Sequence, residues 1–261
     1  MQWDPGPKGT IAKLFKNAPL SLYKSNPKRF RLEWGPIYYR GRLNGSAKVV
    51  AIGQDPAADE NVARRILVGS AGQRLQGFLS KIGITRSYVM INSVLYSIYG
   101  QFDKKMKDFV DIPEVAQWRN QLLDTLVTPK TKAVLAFGLA ARHVVETWPG
   151  ASSFINQGGV FYLTHPTARP DTAVMTNWSS NLAAIAAKVT PDSGATVDLT
   201  PYEGAKFKDE YLVRIPLTDF AFGSPEWIGS GDMAVRATKK TDLSKETAKS
   251  MILWRALGDE G

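Results

Sequence analysis

Four short, almost wholly apolar runs, Lys48–Ile52, Tyr88–Asn92, Ala133–Phe137 and Val160–Thr164, recur along the chain, with a helical stretch between successive members. Runs of this length, rich in Val and Ile and without polar alternation, suit strands covered on both faces, as in a parallel sheet. Between the first two, Ser70 to Ile82 sets Leu75, Phe78, Leu79 and Ile82 at offsets i, i+3, i+4 and i+7, one helical face, and Gly83 supplies a stop. Helices are expected from about Pro113 to Val127, from Leu139 to Thr147 after Gly138, and in an Ala-rich stretch near Ser180 to Val189. The alternation predicts an α/β fold: three layers, α/β/α, around a central four-stranded, mostly parallel sheet.

At 261 residues, 44% of them apolar, the chain can bury one sizeable core, and a single domain over 1–261 is expected. Its core spans about 45–190, with a basic N-terminal flank and a C-terminal extension. The formal charge of +9 points to a polyanionic partner, because phosphates neutralised by Lys and Arg release condensed counterions. There is no cysteine, which removes disulfides, iron–sulfur clusters and thiolate zinc sites, and with two histidines no protein-held catalytic metal is expected. The amino terminus lacks the regions of a signal peptide, and no run approaches the ~20 apolar residues that span a bilayer. The expectation is a cytoplasmic monomer, nucleoid-associated in a bacterium, with no membrane contact.

In open α/β folds the chemistry lies beyond the carboxyl ends of the strands. Those ends deliver Gly53-Gln54-Asp55-Pro56-Ala57, then Asn92, then Gly138, then His165-Pro166-Thr167. An acid, an amide and an imidazole are thereby expected in one cleft. Each has a plain alternative: Asp-Pro is a common turn, Asn commonly ends a strand, and a single His is commonly structural. What argues for function is that their positions agree.

Gly53-Gln54-Asp55-Pro56 after one buried strand and His165-Pro166-Thr167 after a later one resemble the two signature motifs of the uracil-DNA glycosylase superfamily. Leu67 to Leu75 (LVGSAGQRL) is similar to the segment that follows the first motif in its iron–sulfur branch. The resemblance covers about residues 45 to 190. It implies a DNA repair hydrolase without cofactor, in which Asp55 orients the attacking water and stabilises the cationic sugar, and His165 hydrogen-bonds the departing base. It makes Asn92 the amide that reads uracil, and assigns Gln54, Gly53, Leu67 and Ala57 to the base pocket. Gly69, Ser70, Arg64, Arg65 and Thr167 become DNA contacts, and Arg169 enters or braces the gap left by the flipped base. Glu60 stands where that branch carries a second acid. The basic runs Lys28-Arg29-Phe30-Arg31 and Lys104-Lys105-Met106-Lys107 are further phosphate candidates or solvated faces.

The chain also departs from these relatives. It lacks the four cluster cysteines, so the flanks are expected to stabilise that region. Ala57 replaces a tyrosine that blocks the thymine methyl, and Leu67 replaces a stacking Phe, a loss that Tyr96 or Tyr99 would make good. His143 falls on the helix Leu139 to Thr147 and is not expected to trap the sugar. No lysine lies within the motifs, which favours a monofunctional enzyme. The alternatives are a glycosylase for another deaminated or mismatched base, such as hypoxanthine or thymine, a catalytically silent DNA-binding relative, and a nucleotide-binding enzyme, for which the glycine pattern is missing. Residues 190–261, including Ile215-Pro216-Leu217 and Pro225-Glu226-Trp227-Ile228, either cover the core or form a partner site.

Overall fold

The computed structural model describes residues 3–222 and two short strands at 234–236 and 252–254, which pair antiparallel; Pro225-Glu226-Trp227-Ile228 lie outside the described residues. The sheet contains β1 (Arg40–Gly41), β2 (Val49–Gly53), β3 (Tyr88–Asn92), β4 (Ala133–Phe137) and β5 (Val160–Leu163), in the order β1-β3-β2-β4-β5. The four expected strands are parallel, with Ile52 beside Ile91 and Ala136, and Phe137 beside Leu163. The fifth, β1, was not expected. It is antiparallel to β3, too short and too polar to carry a period-two signal, and side-chain bonds hold it rather than apolar alternation.

Strand periodicity divides the core into two faces. Val50, Ile52, Val89, Ile91, Val134 and Ala136 point to one side, covered by α5 (Lys104–Val110), α6 (Pro113–Leu126), α7 (Gly138–Thr147) and the short α8 (Ala151–Asn156). Val49, Ala51, Tyr88, Met90, Leu135 and Phe137 point to the other, covered by α4 (Ser70–Lys81) and α9 (Asp171–Ala186). The last helix starts nine residues before the expected Ser180, because Val174, Met175, Trp178, Leu182 and Ile185 form a buried stripe that overrides the weak helix formers Thr, Asn and Ser. Lys104-Lys105-Met106-Lys107 opens α5, with Met106 buried and the three lysines exposed.

Both flanks contribute to this core. Ile11 and Phe15 of α1 (Gly9–Lys16), Tyr23 of α2 (Leu20–Lys24) and Phe30 join the first face, and Tyr202 joins the second. At the sheet edge Arg40 and Asp219, both fully buried, form an ion pair of 2.9 Å. Asp219 also accepts from the Tyr88 hydroxyl at 2.6 Å, and Arg40 donates to Gln76 Oε1 and to the carbonyl of Ile66, each at 3.0 Å. Among the described residues no helix is long and apolar enough to cross a membrane.

Candidate active site

Because β3 lies on one side of β2 and β4 on the other, the chain leaves the carboxyl ends of β2 and β4 in opposite directions, which opens a crevice at that switch point. A cleft of about 880 Å³ occupies it, lined by residues from the loops after β2, β3, β4 and β5. Gln54, Asp55, Ala57, Glu60, Leu67, Gly69, Ser70, His165 and Thr167 all face this space.

The first loop is held by continuation of the sheet. Ser93 N–H and its hydroxyl donate to the carbonyl of Gly53 at 3.0 and 2.8 Å, and Val94 N–H to that of Gln54 at 3.2 Å. Asp55 follows directly. Its carboxylate accepts from Ile98 N–H at 3.1 Å and from the Gln54 amide at 3.0 Å. Burial nevertheless pushes the carboxyl up to about 6; the two hydrogen bonds and Arg31 oppose the rise, and Glu60 adds to it. Asp55 therefore stays ionised at neutral pH while holding a poorly solvated charge.

Glu60, on α3 (Ala58–Ala63), ties this loop to the next. Only 4% exposed, it accepts from Ala57 N–H at 2.9 Å and from Val68 N–H at 3.0 Å, with Gly69 N–H at 3.5 Å. Both oxygens are thus engaged by backbone, which gives Glu60 the place of a structural tie between the two loops. The second loop passes through Leu67 at φ 55° and lies so close to α4 that a Cβ on Gly72 would stand 1.7 Å from the Leu67 carbonyl oxygen. That glycine is required for packing. Glu60→Gln is expected to leave one of the two N–H groups facing an amide donor, lowering stability by about 1–3 kcal/mol while base release stays within roughly ten-fold of wild type. Unfolding and single-turnover assays on the same preparation check both, and a loss matching that of an Asp55 variant would contradict the structural role.

His165 follows β5, whose end is fixed by Asn177 Oδ1 accepting from Thr164 N–H at 2.8 Å and by Trp178 Nε1–H donating to the Thr164 carbonyl at 2.9 Å. Arg74 of α4 donates to the carbonyl of Pro166 at 2.8 Å while paired with Asp171, pinning the His-Pro-Thr turn. The imidazole packs over Gly138, where a Cβ would come within 3.1 Å of His165 Cβ. Thr167 N–H donates to Nδ1 at 3.3 Å, so that nitrogen is the acceptor and the proton sits on Nε2. Burial lowers the pKa, which keeps the ring neutral.

Asn92 stands beside the cleft rather than on its wall. It is buried, its Oδ1 has no partner, and a Cβ on Gly53 would lie 2.4 Å from that oxygen. Gly53 is what gives the amide room. Arg64 and Arg65 lie outside the cleft: Arg64 donates to the carbonyls of Trp34 and Pro36 at 2.6 and 2.8 Å, and Arg65 pairs with Asp4 at 2.7 Å. Arg169 has an exposed guanidinium bound to Asp171 at 2.6 Å. Tyr96 is buried among Tyr23 and Phe30, and Tyr99 stacks on Arg31, so neither supplies the aromatic wall. Phe102 and Tyr162 line the cleft instead, with Arg142 and the exposed Leu139. Sequence reasoning missed these four: Tyr162 lies within β5, Leu139 and Arg142 on α7 and Phe102 ten residues beyond β3, and none belongs to a motif. His143 pairs with Asp111 and does not line the cleft. Among the described residues no group of three or more His, Asp or Glu side chains could hold a metal ion.

A family model described as the uracil DNA glycosylase superfamily matches residues 40–183, more than half of the chain. The chain belongs to this superfamily. No curated protein matches it. Superfamily membership gives a glycosylase-type hydrolase acting on DNA, and the matched span runs from β1 through the first three turns of α9, taking in Asp55, Asn92 and His165. The cluster of the iron–sulfur branch has no ligands here, since the sequence contains no cysteine.

Proposed function

We propose that this superfamily member removes uracil from DNA by hydrolysing its N-glycosidic bond, without a Schiff base, and leaves an abasic site. The observation that carries the reading is a half-buried, poorly solvated carboxylate and a neutral imidazole, from two different strand ends, facing one cleft. The target nucleotide is flipped out of the stack into that space. As the bond from C1′ to the base nitrogen lengthens, its electron pair leaves with the uracil and positive charge grows on the sugar. The Asp55 carboxylate stabilises that charge in a poorly hydrated setting and orients the water whose oxygen bonds to C1′. His165 Nε2–H donates to a uracil carbonyl oxygen as negative charge gathers there, and the water's proton passes to solvent or to the departing base.

The unpartnered Asn92 Oδ1 supports the choice of uracil, because it is an acceptor suited to the N3–H of uracil, where cytosine carries a lone pair instead. Gly69, Ser70 and Thr167 at the cleft and the exposed Arg169 are the proposed backbone contacts. One observation favours a wider range of bases: Ala57 is small and exposed on the cleft wall, so it does not obstruct a 5-methyl group.

The test is incubation of the full chain with oligonucleotides carrying uracil, mismatched thymine or hypoxanthine, followed by alkaline cleavage. Strand scission is expected at uracil, and its absence from every substrate sinks the reading. Since both Asp55 ionised and His165 neutral are required, the rate should rise with pH through about 6 and level off above it. A rate that falls across that interval contradicts the assignment.

A further inference from the structure

The segment before β1 precedes the span matched by the family model, yet it reaches the catalytic carboxylate. Lys28-Arg29-Phe30-Arg31 reads as a basic run, but its last member is only 6% exposed. The Arg31 guanidinium lies between two rings, 5.0 Å from the centroid of Trp34 and 4.3 Å from that of Tyr99. Its Nε has no hydrogen-bond partner, and the described residues give it no ion pair at contact distance. Two aromatic faces offset only part of the cost of burying a cation, so a facing anion is needed for the rest. Asp55 is bound by the N–H of Ile98, the residue before Tyr99, which brings its carboxylate to the segment that carries this clamp, and the Arg31 charge favours its ionised form.

The backbone makes the same connection. Arg31 N–H donates to the Ser97 carbonyl and Tyr99 N–H to the Arg29 carbonyl, both at 2.9 Å, and Phe30 and Ile98 pair as an antiparallel bridge. Ile98 is the residue whose N–H donates to Asp55 Oδ2. Phe30 is locked in place by Tyr23 and Phe109, with ring centroids 4.8 and 4.7 Å away.

We propose that Arg31 is a positioning residue for Asp55: its backbone, paired with Ser97 and next to the Phe30–Ile98 bridge, aims the Ile98 N–H at the carboxylate, and its guanidinium, held against Trp34 and Tyr99, supplies positive charge to the same loop. The charged group that opposes Arg31 is Glu60 on α3; Gln54 and the Ile98 N–H are neutral donors, and His165 is uncharged. The inference rests on the reading of Asp55 as the group that stabilises the cationic sugar.

The experiment compares wild type, Arg31→Gln and Arg31→Lys in the full chain. Two readouts are taken: the pH profile of single-turnover uracil release, and the titration of the Asp55 carboxyl carbon by NMR. For Arg31→Gln the acidic limb and the NMR midpoint should both move up by about half a pH unit, with KM changed less than about two-fold, and Arg31→Lys should restore most of the difference. An unchanged NMR midpoint in folded Arg31→Gln overturns the proposal, as does a raised KM with an unmoved limb, which would make Arg31 a DNA contact. If Arg31→Gln does not fold, Tyr99→Leu, which removes one face of the clamp, is titrated in its place against the same expectation. The NMR midpoint is read without substrate, so a wild type that releases no base defeats the catalytic reading and leaves this coupling separately measured.

Discussion

Asp55→Asn is expected to slow single-turnover base release by roughly 10²–10⁴-fold while DNA binding stays close to wild type. The amide preserves the shape of the side chain and one acceptor, but loses the charge proposed to stabilise the cationic sugar. A second consequence runs in the opposite direction. The carboxyl is raised from 3.8 to about 6 in the folded protein, so the folded state holds its proton more tightly than the unfolded chain does. The protonated group favours folding at low pH, and that benefit is lost as pH rises through about 6, where the buried charge imposes its full cost. Asp55→Asn removes this cost, and at pH 8 the variant should unfold later than wild type by about 1–2 kcal/mol, the gap closing towards pH 4. A variant that keeps base release within ten-fold, or that melts earlier at pH 8, contradicts the account of this residue.

The largest expected loss of stability lies far from the cleft. Asp219→Ala leaves the Arg40 guanidinium fully buried without its counter-charge and takes an acceptor from the Tyr88 hydroxyl. Removing one partner of such a pair costs about 3–5 kcal/mol, whereas replacing both with apolar groups of similar volume is often neutral. Urea unfolding of Asp219→Ala should show that loss, and the double variant Arg40→Met with Asp219→Leu should recover most of it. If Asp219→Ala lies within about 1 kcal/mol of wild type, water or a shifted acid is compensating Arg40 and the Arg40–Asp219 pair does not hold the sheet edge.

Where sequence reading succeeded and failed follows from what each feature depends on. Val49–Gly53 and Ala133–Phe137 were legible because an unbroken apolar run signals two-sided burial whatever surrounds it. Asp55 and His165 were legible because a parallel sheet sends all its carboxyl ends to one side. Arg40–Gly41 was not, since its pairing depends on an aspartate 179 positions later in the chain. The start of α9 was hidden because Thr, Asn and Ser there are weak helix formers, outvoted by the burial of Trp178. Charge was the least transferable sign. Arg31, Arg64 and Arg65 read as phosphate contacts, yet one is clamped between rings and two bind carbonyls or Asp4. Phe102 and Tyr162 illustrate the converse, as only the assembled loops decide which aromatic faces the cleft.

The acid and the imidazole come from β2 and β5, which are not neighbours; β4 runs between them, with Gly138 at its end. Their separation is therefore spanned by two inter-strand steps, roughly 10 Å in all, about the width of a flat heterocycle with a contact on either side. The sheet itself acts as the calliper for the substrate. A chain whose last strand has not yet docked on β4 holds the acid but not the imidazole in place, so the cleft is complete only when β5 has paired.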